Sequence, residues 1–292
     1  MPFLFKICLN SNGDIMSIIK CPVCNQKLNK MDKTYKCANK HSFDISSKGY
    51  TNLMLANQSF SDASGDDKEM VLSRKEFFEL DKYKCLKNKL LQVINSYLNK
   101  EKINFLDIAC GEGYYTNFLH ENLFKKCEIE TYGIDISRFA IHEANKKKRM
   151  LELENIEYFI ANLSRLPFLD NSLDLLLNCF APIDEKEFYR VLNKEGVYIR
   201  VLPGKDHLYG LKSVLYEKPY FNEKKEENID GLTLIEEIEI FDDIKLESSK
   251  DVVNLFKMTP YYYKTSKEAL VKLENTNSLE TRISFVIRIY KK

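Results

Sequence analysis

Short apolar segments alternate with segments of helical spacing along most of the chain. The apolar segments have the length of buried strands and cover residues 103–108, 129–134, 156–161, 173–180 and 197–202. Helical spacing begins at Tyr114 and recurs over 138–153 and 184–191, with Ser137 placed to cap the second helix. Strands and helices that alternate at these lengths predict an α/β fold with a mostly parallel, doubly wound sheet.

Further elements extend this pattern on both sides. Amphipathic helices are predicted over 69–80 and 84–98, and Tyr83 lies in the connection between them. Towards the C-terminus two more strands and two more helices are predicted, at 232–240, 284–290, 250–257 and 266–273. The late strands can complete the sheet.

The strand predicted at 103–108 continues into a turn that contains Gly111 and Gly113. A strand, a glycine turn and a helix N-terminus place backbone N–H groups where they can face an anionic or polar ligand. The glycines let that ligand approach the backbone where a Cβ would intrude. Asp135, at the end of the next strand, is placed to accept hydrogen bonds from two ribose hydroxyls. Together these features predict a nucleoside-binding core.

The spacing of this loop distinguishes between nucleoside cofactors. A nicotinamide-binding loop has three glycines in G-x-G-x-x-G spacing, and Thr116 occupies the third position here. The pattern Asp107-x-x-Cys110-Gly111-x-Gly113 instead resembles motif I of class I S-adenosylmethionine (AdoMet) methyltransferases. Ala109 replaces the first glycine of that motif, and its small side chain should still leave room for the ligand. We therefore predict a Rossmann-like AdoMet domain with Asp107, Gly111 and Gly113 beside the cofactor.

Three cysteines and one histidine follow the spacing C-x₂-C-x₁₂-C-x₃-H, namely Cys21, Cys24, Cys37 and His41. Two ligand pairs on adjacent turns can close a tetrahedral Cys₃His zinc site. Because the protein fills all four positions, the zinc should be structural, and it should supply most of the folding free energy of so small a ribbon. Four other cysteines stand singly in strand- or helix-like segments and are expected to be small buried residues: Cys85, Cys110, Cys127 and Cys179.

Charge is unevenly distributed, although the formal net charge is only +1. Residues 17–60 contain seven lysines against two aspartates, whereas residues 217–243 contain ten acidic residues against three lysines. A basic ribbon beside a cofactor domain suits a polyanionic partner. A solvated lysine-rich face with no partner is the alternative.

These features divide the chain into four parts. Residues 1–16 are predicted to be a flexible or non-native extension, 17–58 a zinc ribbon, 59–100 a connector with two helices, and 101–292 the methyltransferase domain. The polar segment 59–67 is the expected hinge between ribbon and core. No apolar run approaches the roughly 18 residues of a membrane span, and no signal-peptide cleavage site follows the N-terminus. We expect a cytoplasmic protein.

Three later segments can carry chemistry. Residues 178–182 and 203–207 each follow a predicted strand, at the carboxyl edge where ligands bind in such sheets. The second contains His207, which should then face the cofactor. Residues 258–263 contain three tyrosines that could stack on a base. Each segment could equally be an ordinary loop.

From about Cys21 to Lys292 the chain resembles the family of 23S rRNA (guanine-N1)-methyltransferases. The resemblance is carried by the cysteine–histidine motif, by Lys48-Gly49-Tyr50-x-Asn52-Leu53, by Gly65-Asp66-x₂-Glu69-Met70-x₃-Arg74, by 106–116 and by Met258-Thr259-Pro260. It implies zinc on the four ligands above, AdoMet contacts at Tyr83, Gly111, Glu112 and His207, and the ribose at Asp135. It also implies a homodimer. Asp206 stands where the family tends to have a basic residue.

The implied reaction sets requirements on the RNA. Guanine N1 lies on the pairing edge of the base, so the target must be unpaired or flipped out, and a hairpin loop is the natural substrate. A base that removes the N1 proton would help, and Asp184 and Glu185 are the candidate catalytic residues.

Two alternatives stay open from the residues alone. One is a small-molecule methyltransferase whose ribbon serves as a lid, for which methyl transfer should be insensitive to salt. The other is an RNA-binding protein with an inactive methyltransferase core, which should bind RNA but not AdoMet. Binding to rRNA should instead weaken steeply as salt rises.

Overall fold

The computed structural model describes residues 17–55, 65–223 and 228–292. The predicted extension 1–16 and most of the predicted hinge lie outside these residues. The elements in chain order are β1 (Asn29–Met31), β2 (Thr34–Lys36), β3 (Ser42–Asp44), β4 (Thr51–Asn52), α1 (Lys68–Glu79), α2 (Lys84–Tyr97), β5 (Lys102–Ile108), α3 (Tyr114–Phe124), β6 (Glu128–Asp135), α4 (Arg138–Met150), β7 (Ile156–Ile160), β8 (Leu173–Cys179), α5 (Glu185–Val191), β9 (Leu192–Pro203), α6 (Tyr209–Leu215), β10 (Thr233–Leu246), α7 (Ser249–Lys257), α8 (Lys267–Glu274) and β11 (Leu279–Lys291). Single 3₁₀ turns lie at Leu163–Arg165 and Pro260–Lys264.

Eight of the described strands form one sheet in the order β10-β11-β9-β8-β5-β6-β7-β4. Strand β11 runs antiparallel to both of its neighbours, and the other neighbouring pairs are parallel. This confirms the predicted α/β class and its mostly parallel sheet. The carboxyl ends of β5, β6, β8 and β9 therefore meet at one edge, which is where the predicted cofactor residues lie.

Alternating residues of the central strands pack into two hydrophobic cores, one on each face of the sheet. On β5, Phe105 packs with residues of α2 and α3, whereas its neighbour Leu106 packs into the opposite cluster. Leu176 on β8 likewise faces away from Leu175 and Leu177. Residues on a strand alternate between its faces, so the sheet is buried on both sides and its strands are nearly continuous apolar runs.

The zinc ribbon packs directly on the methyltransferase sheet. Its short strand β4 pairs in parallel with β7, and Lys20 N–H donates to the carbonyl of Pro167 at 2.9 Å. The rings of Tyr35 and Phe159 meet edge to face at 5.8 Å between centroids. Between β7 and β8 the chain forms a single 3₁₀ turn instead of a crossover helix, and ribbon residues cover that part of the sheet. The ribbon thus shares a core with the larger domain, which the sequence did not predict.

The predicted elements are present, and their ends differ most in the last strands. Strand β9 begins five residues earlier than predicted, and β10 and β11 extend to 14 and 13 residues. These extensions are stabilised by antiparallel pairing, for example between Leu246 and Leu279, and not by an apolar pattern of their own. In the described parts of the chain, every helix is too short or too polar to span a membrane.

Candidate active site and metal centre

The loop between β5 and α3 contains three residues in the left-handed region. Ala109, Gly111 and Gly113 have φ values of +53°, +56° and +77°. A Cβ added to Gly111 would lie 2.9 Å from Nη2 of Arg74, and one added to Gly113 would lie 2.8 Å from the hydroxyl of Tyr158. Ligand approach was the predicted reason for both glycines. On the Cβ side the space beside each glycine is filled by a protein side chain, so the glycines serve the backbone conformation and close packing, and ligand approach stays a prediction.

Asp135 ends β6 and ties two backbone segments together. Its Oδ2 accepts the N–H of Gly111 at 2.9 Å, and its Oδ1 accepts the N–H of Ser137 at 2.8 Å. Loss of solvent around the carboxyl raises its pKa, and the two backbone donors oppose that shift. Each carboxylate oxygen keeps a second lone pair, so the group is still able to accept hydroxyl donors such as those of a ribose.

Asp107 lies beneath the loop rather than on its surface. It is 2% exposed, and its Oδ2 accepts the hydroxyl of Thr116 in the first turn of α3 at 2.5 Å. Burial raises the pKa of Asp107 to about 7, with the nearby carboxylates of Asp135 and Glu112 adding to the shift. In this position Asp107 orients the N-terminus of α3.

Arg74 of α1 reaches the glycine loop, and sequence reasoning assigned it no role. Its Nε donates to Glu112 Oε2 at 2.6 Å, and its Nη1 donates to Asp66. These contacts fix the guanidinium plane and leave Nη2 directly beside Gly111. A charged residue on an amphipathic helix normally marks a solvated position, which is why the pattern gave no signal.

Tyr83 and His207 come together at the same edge of the sheet. Both side chains are buried, and Tyr83 Oη lies 3.3 Å from His207 Nε2. Because His207 Nδ1 accepts the N–H of Ser284 at 3.2 Å, the ring proton is on Nε2 and is donated to Tyr83. Burial lowers the pKa of His207 to about 3, so the imidazole is neutral at physiological pH.

Aromatic rings connect this pair with the glycine loop. Phe78 of α1 lies 5.7 Å from Tyr83 and 5.9 Å from Tyr115, measured between ring centroids. The buried hydroxyl of Tyr115 has no hydrogen-bond partner among the described residues. Buried hydroxyls normally have partners, so this one marks a place where a polar ligand atom could bind.

The predicted catalytic carboxylates already have structural contacts. Asp184 Oδ1 caps α5 by accepting the N–H of Glu187 at 3.1 Å, and Glu185 Oε2 accepts the N–H of Asp230 at 3.1 Å. Their catalytic role stays a prediction. In the segment 258–263, the hydroxyl of Tyr262 donates to Glu69 of α1 at 3.1 Å, and Tyr263 is 62% exposed.

The four predicted metal ligands form one cluster in the ribbon. All four donor atoms of Cys21, Cys24, Cys37 and His41 lie within 4.8 Å of one another. The Sγ atoms of Cys24 and Cys37 are 3.6 Å apart, and His41 Nδ1 is 3.4 Å from Sγ of Cys37. Tetrahedral zinc with bonds of about 2.3 Å to sulfur places two sulfurs about 3.8 Å apart, so the cluster fits zinc. No position is left for a water ligand, as expected of a structural site.

Comparison with known families agrees with a zinc ribbon and a methyltransferase domain. A zinc-ribbon family model described as "RlmA, N-terminal" matches residues 19–61, and one described as "Methyltransferase domain" matches residues 99–236. The two matches cover the ribbon and the part of the sheet that carries the glycine loop.

Three relatives are similar to most of the chain. A Bacillus subtilis (strain 168) protein provisionally named 23S rRNA (guanine-N(1)-)-methyltransferase YxjB is 26% identical over 94% of this chain and 96% of its own length. A Micromonospora griseorubida protein, provisionally named 23S rRNA (guanine-N(1)-)-methyltransferase, is 27% identical over 68% of this chain and 70% of its own. The 23S rRNA (guanine(748)-N(1))-methyltransferase of Streptomyces fradiae is 25% identical over 69% of each chain.

The Cys₃His cluster, the strand order and the glycine loop agree with these similarities. The chain is a class I AdoMet-dependent methyltransferase with a structural zinc ribbon, and it is similar over most of its length to proteins named 23S rRNA (guanine-N1)-methyltransferases.

Proposed function

We propose that this protein methylates N1 of a guanine in a hairpin loop of 23S rRNA, with AdoMet as methyl donor and the zinc ribbon helping to hold the RNA. The observation that carries the proposal is the fusion of a lysine-rich ribbon to the methyltransferase sheet through one shared core. A ribbon fixed in this way can hold RNA at a constant position relative to the cofactor site. Relatives that are similar to most of this chain are named for this activity.

The cofactor residues fit AdoMet. Asp135 would hold the ribose hydroxyls, while the backbone of Gly111 and the side chains of Glu112 and Arg74 border the loop on which the methionine part would lie. The buried pair of Tyr83 and His207 would form the wall next to it. When bound, AdoMet supplies an electrophilic methyl group on a sulfonium.

Catalysis then depends mainly on positioning. Guanine N1 forms its bond to the methyl carbon as the sulfur–carbon bond breaks, the bonding electron pair stays on sulfur, and the N1 proton leaves to a base or to solvent. Holding the two reacting atoms in line converts a bimolecular step into an effectively unimolecular one. General-base removal of the N1 proton would add roughly 10²–10⁴-fold. Asp184 and Glu185 remain the candidates for that base.

The ribbon offers cations for RNA phosphates. Five of its lysines are exposed, namely Lys30, Lys33, Lys36, Lys40 and Lys48. Lys30 also pairs with Glu157 on β7, which partly neutralises its charge, so the other four lysines are the more available cations. Phosphate contacts of this kind position an RNA without reading its sequence. Affinity should therefore fall steeply with salt, in contrast to a small-molecule methyltransferase.

A transfer assay tests the proposal. Radiolabelled AdoMet is incubated with the protein and unmodified 23S rRNA, and the RNA is digested to nucleosides. We expect label in 1-methylguanosine, with a yield that decreases as salt increases. Absence of label from the RNA would refute the proposal, and label in a different nucleoside would reject N1 as the acceptor. The family resemblance also predicts a homodimer, which light scattering of the purified protein measures.

A further inference from the structure

Phe180 has a backbone conformation that is unusual for an aromatic residue. It follows β8 at the carboxyl edge of the sheet and has a φ of +63°. Among the non-glycine residues that the structure describes with positive φ, Phe180 is the only aromatic one. Left-handed backbone costs an L-residue roughly 1–2 kcal/mol, and such strain persists only where the surroundings enforce it.

The surroundings of Phe180 do enforce it. Its N–H donates to the carbonyl of Val201 at 3.0 Å. The buried side chain of Asn178 closes the following turn, since its Nδ2 donates to the carbonyl of Pro182 at 2.9 Å and its Oδ1 accepts the N–H of Ala181 at 3.2 Å. Arg200 Nη1 donates to the carbonyl of Ala181 at 3.2 Å. Buried polar groups from two strands therefore hold this turn in one conformation.

The result of this conformation is an exposed ring. Phe180 is 43% exposed, although it directly follows a buried strand. Its ring packs on His207, at 6.4 Å and 28° between planes, and on Phe285 at 5.9 Å. His207 in turn contacts Tyr83, so Phe180 borders the proposed AdoMet site. A ring whose only role was to fill the core would be buried on an unstrained backbone. The strained backbone of Phe180 instead keeps its ring partly in solvent.

We propose that Phe180 is the platform on which the target purine stacks for methylation. This inference rests on the proposed function and assigns the residue that receives the unpaired base. A flat aromatic ring with one side supported by His207 and Phe285 offers its other side to a base. Stacking fixes the plane of the base but not its identity, so it aligns the pairing edge for transfer while leaving recognition to other contacts.

Substitutions at this position separate stacking from folding. Phe180→Gly removes the ring and accepts the positive φ without strain, so the variant should fold normally. Phe180→Leu keeps an apolar side chain without a π-face, and Leu208, with a φ of +57°, shows that leucine adopts this conformation in the same protein. Phe180→Tyr keeps the ring. Tyr189→Leu is the matched control, because Tyr189 of α5 is 42% exposed and packs against Lys292, not against His207.

The zinc-loaded proteins are compared in three measurements: single-turnover methylation of an rRNA hairpin transcript, AdoMet affinity by calorimetry, and thermal unfolding. Loss of one stacking contact should lower the methylation efficiency of Phe180→Gly and Phe180→Leu by roughly 5-fold to 150-fold. AdoMet affinity should be unchanged, Tyr189→Leu should match the wild type, and Phe180→Tyr should retain much more activity than Phe180→Gly. With 2-aminopurine in place of the target base, wild type and Phe180→Tyr should quench its fluorescence, and Phe180→Gly should not.

The outcomes separate the platform from the proposed function. If wild type methylates the RNA and Phe180→Gly does so within about twofold, the platform is refuted and the proposed function stands, since a lost stack should cost at least about fivefold. The platform would also be refuted if Phe180→Tyr lost as much methylation efficiency as Phe180→Gly. The same holds if the loss of methylation were matched by a loss of AdoMet affinity, since either result would indicate a packing role for the ring. A wild type that cannot methylate rRNA would overturn both proposals.

Discussion

Tyr83 and His207 are 124 residues apart in sequence and share a buried hydrogen bond of 3.3 Å between Oη and Nε2. The bond joins the connection between α1 and α2 to the loop after β9, so the helices that precede the sheet are fixed to its carboxyl edge. The N–H of Ser284 on β11 sets the tautomer from the other side of the ring. Three separate parts of the chain thereby define one wall of the candidate active site.

Replacing Tyr83 by phenylalanine should destabilise the fold. The change leaves the buried Nε2–H of His207 without its acceptor, which costs about 1–3 kcal/mol. Urea unfolding at neutral pH measures the loss. Tyr97→Phe is the control, because Tyr97 donates to Glu236 at the surface and its loss should cost less than about 1 kcal/mol. Equal losses in the two variants would show that the Tyr83–His207 bond contributes no more than a surface contact.

Loss of zinc should affect more than the ribbon. Cys24→Ser removes one ligand of the cluster, and the ribbon shares its core with the sheet through contacts such as Tyr35 with Phe159. We expect the variant to lose its zinc, measured by metal analysis, and to unfold at a lower temperature over the whole chain. Cys127→Ser is the control, since Cys127 lies outside the cluster in the turn between α3 and β6. A zinc-free variant with wild-type melting would mean that the ribbon folds independently of the sheet.

Asp107 should make stability depend on pH. Burial raises its pKa to about 7, so the folded chain holds this proton more tightly than the unfolded chain, in which aspartate titrates near about 3.9. Its contribution to stability is therefore complete below that lower value and is lost as pH rises through about 7. Asp107→Asn has no proton to lose.

The comparison of Asp107→Asn with wild type isolates this effect. Between about pH 4 and about pH 7 the free energy of unfolding of the variant should gain on that of the wild type, by at most roughly 1.4 kcal/mol per pH unit. Urea titrations at several pH values measure it. A difference that stays constant with pH would show that Asp107 ionises normally in the folded protein.

Ala109 occupies a backbone conformation that suits glycine. At a φ of +53°, an alanine carries a strain of roughly 1–2 kcal/mol, which glycine would relieve. Glycine also raises the conformational entropy of the unfolded chain, which costs roughly 0.5–1 kcal/mol of stability. Ala109→Gly should therefore stabilise the protein by about 0.5–1 kcal/mol. The same change at Ala140, inside α4, should destabilise it by at least about 1 kcal/mol. Destabilisation at both positions would contradict the strain assigned to the loop.

The pattern of apolar segments predicted the sheet because parallel strands buried on both faces have a strong signal. The zinc ligands and the acidic end of β6 were predictable because their chemistry requires fixed residue types at fixed spacing. Such features are local, and the residues that define them lie close together in sequence or at the end of a predicted strand.

The remaining features depend on contacts between distant segments. Arg74 looks like a solvated helix residue until α1 is placed over Gly111, and Phe180 looks like the end of a buried strand until Asn178 and Arg200 fix its turn. The packing of Tyr35 on Phe159 has no signal in the ribbon itself. Contacts between residues more than a hundred positions apart form only in the assembled fold. The spacing of residues along the sequence does not predict them.

Primer extension on unmodified 23S rRNA treated with the purified protein tests the central claim most directly. A methyl group on guanine N1 blocks base pairing, so reverse transcriptase should stop one nucleotide before the modified position. We predict a single stop in a hairpin loop that requires both AdoMet and the zinc-loaded protein. Transcripts without an AdoMet-dependent stop, from a preparation that binds AdoMet and contains zinc, would contradict the assignment of guanine N1 in rRNA as the acceptor.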